Sequence, residues 1–297
     1  MKKSIFLVLL LLVMLSACAS GKQKINQDPY YESFFEKARL IMTNEEIAIY
    51  KQLPDLKSKD EFIDEFWKKR DPFPETPENE NKIEFERRIA YANRWFKENR
   101  PPGRGWNSAR GRILLQLGEP DNRYLNDMLN NPSIKGYERW IYYEYRLELI
   151  FIDREGFGEF KLNNWPVELL TAIDTAKFTL NLVDREAMKK TFTFTAKYQD
   201  GQIQIEIPLK KIHFKEAENE ISADFEISVY VYRDYKRIDT TTFTKQIRFE
   251  KDKIPASKTL TLALPYPLPA KGKYYFDVIV KDMLTAARSR NFLSYKY

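Results

Sequence analysis

Apolar residues in the first part of the chain recur at intervals of three and four, which predicts amphipathic helices. One such segment follows Tyr30, and another follows Thr43, where the sequence Thr-Asn-Glu-Glu is a capping box. A second capping box begins at Ser58, and the helix behind it should stop near Asp71, because the residue before a proline avoids helical backbone angles. Four large apolar side chains share one face of this helix: Phe62, Ile63, Phe66 and Trp67.

A further helix is predicted from Pro77, with Thr76 as its N-cap, to about Lys97. A proline-glycine break follows it. The short apolar run from Arg112 to Leu117 then predicts a buried strand, and alternating apolar positions predict more strand between residues 137 and 153. Helices followed by strands indicate an α+β domain, in which N-terminal helical segments pack on a small antiparallel sheet.

The hydrophobic pattern changes to a period of two beyond residue 180. Apolar side chains alternate with polar ones around Phe192 and Ile205, and Asp200-Gly201 between them is typical of a hairpin turn. About seven short strands in roughly a hundred residues are typical of an all-β sandwich that resembles immunoglobulin-like modules. No cysteine pair is available to join its sheets, so its core should be purely apolar.

The first residues have the three regions of a secretory signal, namely charged, apolar and small-residue regions. The apolar run from Ile5 to Leu15 would span about 17 Å as a helix, which is too short to cross a membrane. Leu15-Ser16-Ala17-Cys18 resembles the lipobox of bacterial lipoproteins, in which the cysteine thiol receives a diacylglyceryl group. Cys18 is the sole cysteine, and it is the predicted lipid attachment site. The alternative is an ordinary cleaved signal with an incidental cysteine.

These patterns predict five parts of the chain. They are a lipoprotein signal peptide at 1–17, a tether at 18–29, an α+β domain at 30–165, a linker at 166–189 and the β-sandwich at 190–297.

The charge balance argues against one class of partner. The formal net charge of +6 falls to +4 without the signal residues Lys2 and Lys3, and charged residues of both signs make up 31% of the chain. Such a balance is typical of a solvated surface. An exported chain with no block of basic residues and stacking aromatics is not expected to bind nucleic acid. Weak attraction to anionic lipid or polysaccharide stays open.

The segment from Gly105 to Asp121 carries a family resemblance. Gly105-Trp106-Asn107-Ser108-Ala109, followed by an apolar run and Gly118-Glu119-Pro120-Asp121, resembles the GWxTD domain family of bacterial envelope proteins. Phe66-Trp67-Lys68-Lys69-Arg70-Asp71-Pro72 and the helix from Glu84 to Phe96 also fit that family's pattern. Ser108-Ala109 stands where the family name has Thr-Asp, so a hydroxyl is kept and a carboxylate is lost. The resemblance implies a fold and an envelope location, and it implies no established activity.

Several polar and aromatic residues around this segment form a candidate structural or binding corner. Trp106 can serve as a ligand platform or as a core plug, and the plug is the favoured interpretation. The arginines can bind the carboxylate or phosphate of a ligand, or they can pair with nearby acids of the same chain. Pairing within the chain is the favoured interpretation. The members of the corner are Arg70, Asp71, Gly105, Trp106, Ser108, Arg110, Arg112 and Asp121.

Catalytic and metal chemistry have little support in the sequence. Ser108 would need a base to act as a nucleophile, and the sole histidine, His213, lies in the predicted sandwich. A zinc site would need about three donors of the right type, which one histidine and a lipidated cysteine do not supply. No catalytic residue, metal ligand or cofactor is therefore predicted.

These observations favour a lipid-anchored, non-catalytic envelope protein with a binding, assembly or scaffolding role. It should be held in the outer membrane by its N-terminal lipid and face the periplasm, and it should have a protein partner. The alternatives are an envelope hydrolase or transferase that uses carboxylates and arginines near Trp106, and a small-ligand binding lipoprotein.

Overall fold

The computed structural model describes residues 28–74, 76–98, 100–125, 133–179, 192–251 and 257–297. Its N-terminal part begins with four helices, α1 Pro29–Ala38, α2 Asn44–Gln52, α3 Leu56–Lys69 and α4 Glu80–Trp95. The predicted capping box at Thr43 is confirmed, because its side chain accepts from the backbone of Glu46 and Glu46 accepts from the Thr43 backbone. The other helix starts differ from the predictions: Asp55 caps α3 and Asn79 caps α4.

A 3-10 turn at Gly105–Asn107 leads into helix α5, Ala109–Leu117. The prediction of a buried strand from Arg112 to Leu117 is therefore wrong. The run is apolar on nearly every position, so its pattern has no clear period, and in the structure Ser108 is the N-cap of the helix that contains it. The four residues of the run that are buried are Ile113, Leu114, Leu115 and Leu117.

Four antiparallel strands form the sheet of this N-terminal part, in the order β1-β2-β3-β4. They are β1 Asn122–Leu125, β2 Gly136–Tyr142, β3 Leu147–Asp153 and β4 Lys161–Leu162. Helix α6, Val167–Thr179, follows and packs between α5 and the last strand of the chain. It lies within the predicted linker, yet its Leu169 and Ala172 are buried in the N-terminal core. This part of the linker is therefore an ordered element of the fold.

The C-terminal part is all β and contains two antiparallel sheets. The smaller sheet has the order β10-β6-β5, and the larger sheet contains β12, β11 and β8 as neighbours, with β7 and β9 also paired to β8. The strands and their bounds are β5 Thr195–Gln199, β6 Gln202–Pro208, β7 Lys215–Glu216, β8 Glu220–Arg233, β9 Lys236–Glu250, β10 Thr259–Pro265, β11 Lys273–Asp282 and β12 Arg288–Lys296. The predicted hairpin at Asp200-Gly201 joins β5 to β6.

The larger sheet is covered on both faces along β11, and this positions the site described below. Phe276 and Val278 belong to an apolar cluster that the two C-terminal sheets share. Tyr275 and Ile279, on the opposite face, belong to the cluster of the N-terminal helices. A strand that is buried on both faces reads as a continuous apolar run, so the one charge inside it, Asp277, needs buried partners.

The predicted α+β fold class is confirmed. Helical segments pack with a small antiparallel sheet, and an all-β region follows them.

Candidate functional site

Gly105 and Trp106, which we call the Gly-Trp corner, are closely packed against other parts of the chain. The Trp106 side chain is only 3% exposed, and its backbone N–H donates to Asn93 Oδ1 at 3.1 Å. A Cβ atom at Gly105 would overlap the backbone of Ala92 in α4, so this close approach requires glycine. The corner therefore packs against α4, in agreement with the core-plug interpretation of Trp106.

Ser108 acts as a helix cap. It is fully buried, and its Oγ accepts from the backbone N–H of Gly111 at 2.9 Å, which satisfies one of the unpaired donors at the start of α5. His213 lies in the C-terminal part, where its Nδ1 is 3.5 Å from Asp282. Ser108 and His213 therefore lie in different regions of the fold, so His213 does not serve as a base for Ser108. The Ser108 hydroxyl instead caps helix α5.

Arg110 bridges two buried carboxylates. Its Nη1 donates to Glu138 at 2.7 Å and its Nη2 to Glu98 at 3.2 Å. Glu138 also accepts from Arg123 and, at 2.5 Å, from the indole N–H of Trp140. Burial raises the pKa of Glu98 in spite of the attraction to Arg110. This cluster fastens α5 to strand β2, as the internal-pairing interpretation of the arginines requires.

Arg70 belongs to a second cluster, which joins the two halves of the chain. Both of its terminal nitrogens donate hydrogen bonds to the Glu46 carboxylate, at 2.8 and 3.0 Å. Glu46 also accepts from Arg290 on β12 at 2.8 Å, and Arg290 in turn makes two 2.6 Å bonds to Asp277 on β11. Lys69 donates to Asp277 at 2.7 Å. All five side chains are at most 3% exposed, and we call them the interface network.

The electrostatics of the interface network favour its ionised form. Burial by itself raises the pKa of Glu46, but the attraction of Arg290 and Arg70 outweighs it and holds that pKa well below its usual value. The pKa of Asp277 is lowered in the same way by Arg290 and Lys69, against its own burial. Both carboxylates therefore stay charged inside the fold because cations surround them.

Tyrosine and a further ion pair extend this contact. Lys69 donates to the Tyr232 hydroxyl at 2.8 Å, and that hydroxyl donates to Glu65 at 3.2 Å. Glu65 also pairs with Arg237 of β9. Helix α3 is thus tied to β8, β9 and β11 through polar contacts as well as through its apolar face.

The remaining members of the predicted corner lie apart from these clusters. Asp71 accepts from Phe73 with its side chain, and its carbonyl accepts from Arg288. Arg112 is exposed and donates to Asn107 at 2.6 and 2.9 Å, while Asp121 accepts from the Tyr143 backbone at 2.8 Å. Gly105, Trp106 and Ser108 are brought together, whereas Arg70 and Arg110 enter separate networks.

Sequence reasoning missed most of the interface network. Asp277 lies within the apolar run of β11, and Arg290 lies on β12. A carboxylate inside a strand that is apolar on both faces is a usable signal, because such a group requires a buried cation. The identity of that cation has no comparable signal in the sequence.

A groove was also missed by the sequence analysis. It has a volume of about 390 Å³ and lies between α6, residues 192–194 and the start of β12. Around the start of helix α6, three large apolar side chains are exposed. Trp165 is 73% exposed, Val167 72% and Leu170 61%, and we call these three residues the apolar strip.

The predicted anchor at Cys18 lies outside the described residues. Within the ranges that the structure describes, no helix combines the length and apolar character needed to cross a membrane. Within the same ranges, no three His, Cys, Asp or Glu side chains are grouped so that they can hold a metal ion.

Comparison with known proteins adds little. No protein-family profile matches the chain, and no curated protein matches it. Among solved structures, the superoxide reductase (neelaredoxin) of Ignicoccus hospitalis is similar at 17% identity and a TM-score of 0.24, over 39% of this chain and 89% of that chain. The superoxide reductase of Nanoarchaeum equitans is similar at 13% identity and a TM-score of 0.20, over 35% of this chain and 91% of that chain.

A third similar structure is the chicken interferon gamma receptor alpha chain, at 6% identity and a TM-score of 0.20, over 54% of this chain and 65% of that chain. These TM-scores are too low to support an argument about fold or function. The resemblance to the GWxTD family stays a prediction.

Proposed function

We propose that this protein is a lipid-anchored envelope protein of the GWxTD type, with a non-catalytic binding or assembly role. The N-terminal sequence supports the anchor, because a short apolar run leads directly to Cys18. The binding role is supported by the apolar strip. In this proposal the lipid holds the protein at the membrane, and the strip contacts a protein partner.

The apolar strip carries the proposal because no contact among the described residues explains its exposure. The opposite face of α6 is firmly packed, with Leu169 and Ala172 at most 2% exposed. Water-facing positions beside such a packed face are normally polar. Trp165, Val167 and Leu170 lie within six residues, and a contiguous exposed apolar surface of this kind is typical of an interaction site.

The charges beside the strip favour protein over lipid as its partner. Glu168 and Asp174 lie on the same helix, and Asp174 is 68% exposed. Carboxylates are repelled by an anionic lipid surface. An apolar surface on another folded protein, ringed by basic or neutral groups, fits the strip better.

The alternative of an envelope hydrolase or transferase is less well supported. It requires carboxylates and arginines that open to a cleft near Trp106. Glu98 and Glu138 are both paired with Arg110, and their side chains are at most 1% exposed. Buried charged groups that are paired with one another in this way are more typical of a structural role than of a catalytic one.

The experiment compares two double variants in the native host. Trp165→Ser with Leu170→Ser removes two of the three apolar side chains of the strip. Trp95→Ser with Ile83→Ser removes a matched exposed pair on α4, where Trp95 is 57% and Ile83 47% exposed. Membranes are solubilised in mild detergent, and the size of the complex that contains the protein is measured on a native gel.

We expect the parent and the α4 variant to migrate in a complex larger than the monomer, and the strip variant to migrate as a monomer with an unchanged melting temperature. A parent protein that migrates as a monomer contradicts the assembly role. A lipid-free protein that binds vesicles through the strip contradicts the choice of a protein partner.

A further inference from the structure

The groove beside α6 has apolar walls and a basic floor. Its walls include Phe178 on the helix, and Phe192 and Phe194 opposite. Its floor is formed by the start of β12, which contributes Arg288 and Arg290. Thr171, Asp174, Thr175, Ser289 and Asn291 complete the lining.

Both arginines of the floor have a donor without an acceptor among the described residues. Arg290 has no exposed side-chain surface, and although its Nε and Nη2 bind Asp277 and Glu46, its Nη1 has no partner. The buried Nε of Arg288 also has none, while its Nη1 donates to the carbonyl of Asp71. A buried guanidinium N–H without an acceptor is costly, because it has lost water and gained nothing in exchange.

Cations and carboxylates are both present near the floor of the groove. The interface network combines three cations, Lys69, Arg70 and Arg290, with two carboxylates, Glu46 and Asp277. Arg288 adds another positive charge beside it, and the carboxylates of Glu226 and Asp71 attract that charge. Asp174 is the acid that lines the groove, and it is exposed and 4.0 Å from Lys177. The two buried N–H groups without acceptors, in a poorly hydrated place, are therefore the feature of the floor that favours an anion there.

We propose that this groove binds a carboxylate that is attached to an apolar body. The carboxylate accepts from the free N–H groups of Arg288 and Arg290, since guanidinium and carboxylate match in planar geometry. The apolar body lies against Phe178, Phe192 and Phe194. The volume of about 390 Å³ is within the range of small-ligand pockets.

Two sources can supply this chemistry, namely an acyl chain with a free carboxylate and the C-terminus of a peptide. Titration calorimetry on the purified protein separates them. The acyl arm uses octanoate, with 1-octanol as the uncharged control and acetate as the control without an apolar body. The peptide arm uses N-acetyl-Ala-Phe-Leu with a free or an amidated C-terminus.

We expect one arm to bind at a single site and its uncharged control to bind at least tenfold more weakly. Arg288→Gln should reduce the affinity of the binding carboxylate by about tenfold or more, because it removes the charge-assisted bond. The exposed Arg248, which contacts Gln246 on β9, supplies the matched control, and Arg248→Gln should leave the affinity unchanged.

Arg290→Gln also breaks the interface network, so its effect on folding would obscure the result. Thr175→Phe avoids this problem, because Thr175 is exposed on α6 and lines the groove, and a phenyl ring there is expected to occupy the groove while both arginines are kept. We expect binding to disappear in this variant while the melting temperature stays the same.

Equal binding of charged and uncharged ligands would overturn the proposal, as would full affinity in Arg288→Gln or in Thr175→Phe. Failure of both arms to bind would overturn it too. These results do not depend on the apolar strip or on a protein partner, so this inference and the proposed function can fail separately.

Discussion

Glu46 and Arg290 are 244 residues apart in the chain, and their side chains form a 2.8 Å ion pair with no more than 3% exposure. Glu46 has two roles at this point. It completes the capping box of α2 by accepting from the Thr43 backbone at 3.0 Å, and it links Arg70 to Arg290. One carboxylate thus connects the start of a helix in the first half to the edge of a sheet in the second half.

Loss of the Glu46 charge should strongly destabilise the protein. Glu46→Gln leaves the buried Arg70 and Arg290 without their shared anion, and breaking such a buried pair typically costs about 3–5 kcal/mol. Chemical denaturation measures the free energy of unfolding. Glu216 supplies the control, because its pair with Lys251 is exposed, and Glu216→Gln should cost less than about 1 kcal/mol. Similar costs for the two variants would contradict the role of the network.

Acid should destabilise the fold through the same carboxylates. The pKa of Glu46 and that of Asp277 are lower in the folded state than their usual values of 4.5 and 3.8. The unfolded chain therefore takes up protons first as the pH falls, so the stabilisation is complete above about pH 5 and is lost progressively below pH 4.5. The pKa of Glu98 is raised, so its effect on the pH dependence of stability is opposite. The combined effect of Glu46 and Asp277 is expected to exceed it.

The measurement is the free energy of unfolding between pH 7 and pH 3. In Glu46→Gln the decrease with acid should be smaller than in the parent, because one of the responsible groups is gone. An identical pH dependence in the two proteins would mean that other carboxylates dominate.

The Gly-Trp corner should respond to mutation as a packed core. Trp106→Ala is expected to cost roughly 3–5 kcal/mol, since it removes a large buried side chain. Arg112→Ala is the contrasting change, because Arg112 is exposed and bonded to a neighbouring asparagine, and it should cost less than about 0.5 kcal/mol. Thermal melts of both variants measure the difference. A change below about 2 °C for Trp106→Ala would refute the core assignment.

The anchor has its own test in cell fractionation. Cys18 is the sole cysteine of the chain, so Cys18→Ser removes the one thiol that can receive a lipid. We expect the variant to leave the membrane fraction or to accumulate with its signal uncleaved. Ala17→Ser, next to the cleavage point, keeps the thiol and serves as the control. Normal processing and an unchanged membrane fraction in Cys18→Ser would refute the lipoprotein prediction.

Local sequence patterns predicted much of the fold but not the shape of the candidate site. Alternation along β6 and the Asp200-Gly201 turn identified a strand and its hairpin, because these signals act over a few residues. The groove beside α6 had no signal of this kind. It is formed where a helix, residues 192–194 and β12 meet, and β12 is far from the other two segments in the chain.

The sequence by itself determined the α+β fold class, the capping box at Thr43 and the burial expected of Trp106, because periodicity, caps and side-chain size are local properties. Tertiary structure decided that residues 112–117 are helical, that Arg110 binds Glu138, and that Arg70 shares Glu46 with Arg290. The physical reason is that a charge within an apolar run can be recognised from the sequence as needing a partner of opposite charge. The chain has 43 acidic and 49 basic residues, and which of them pair depends on distances that exist only in the folded chain.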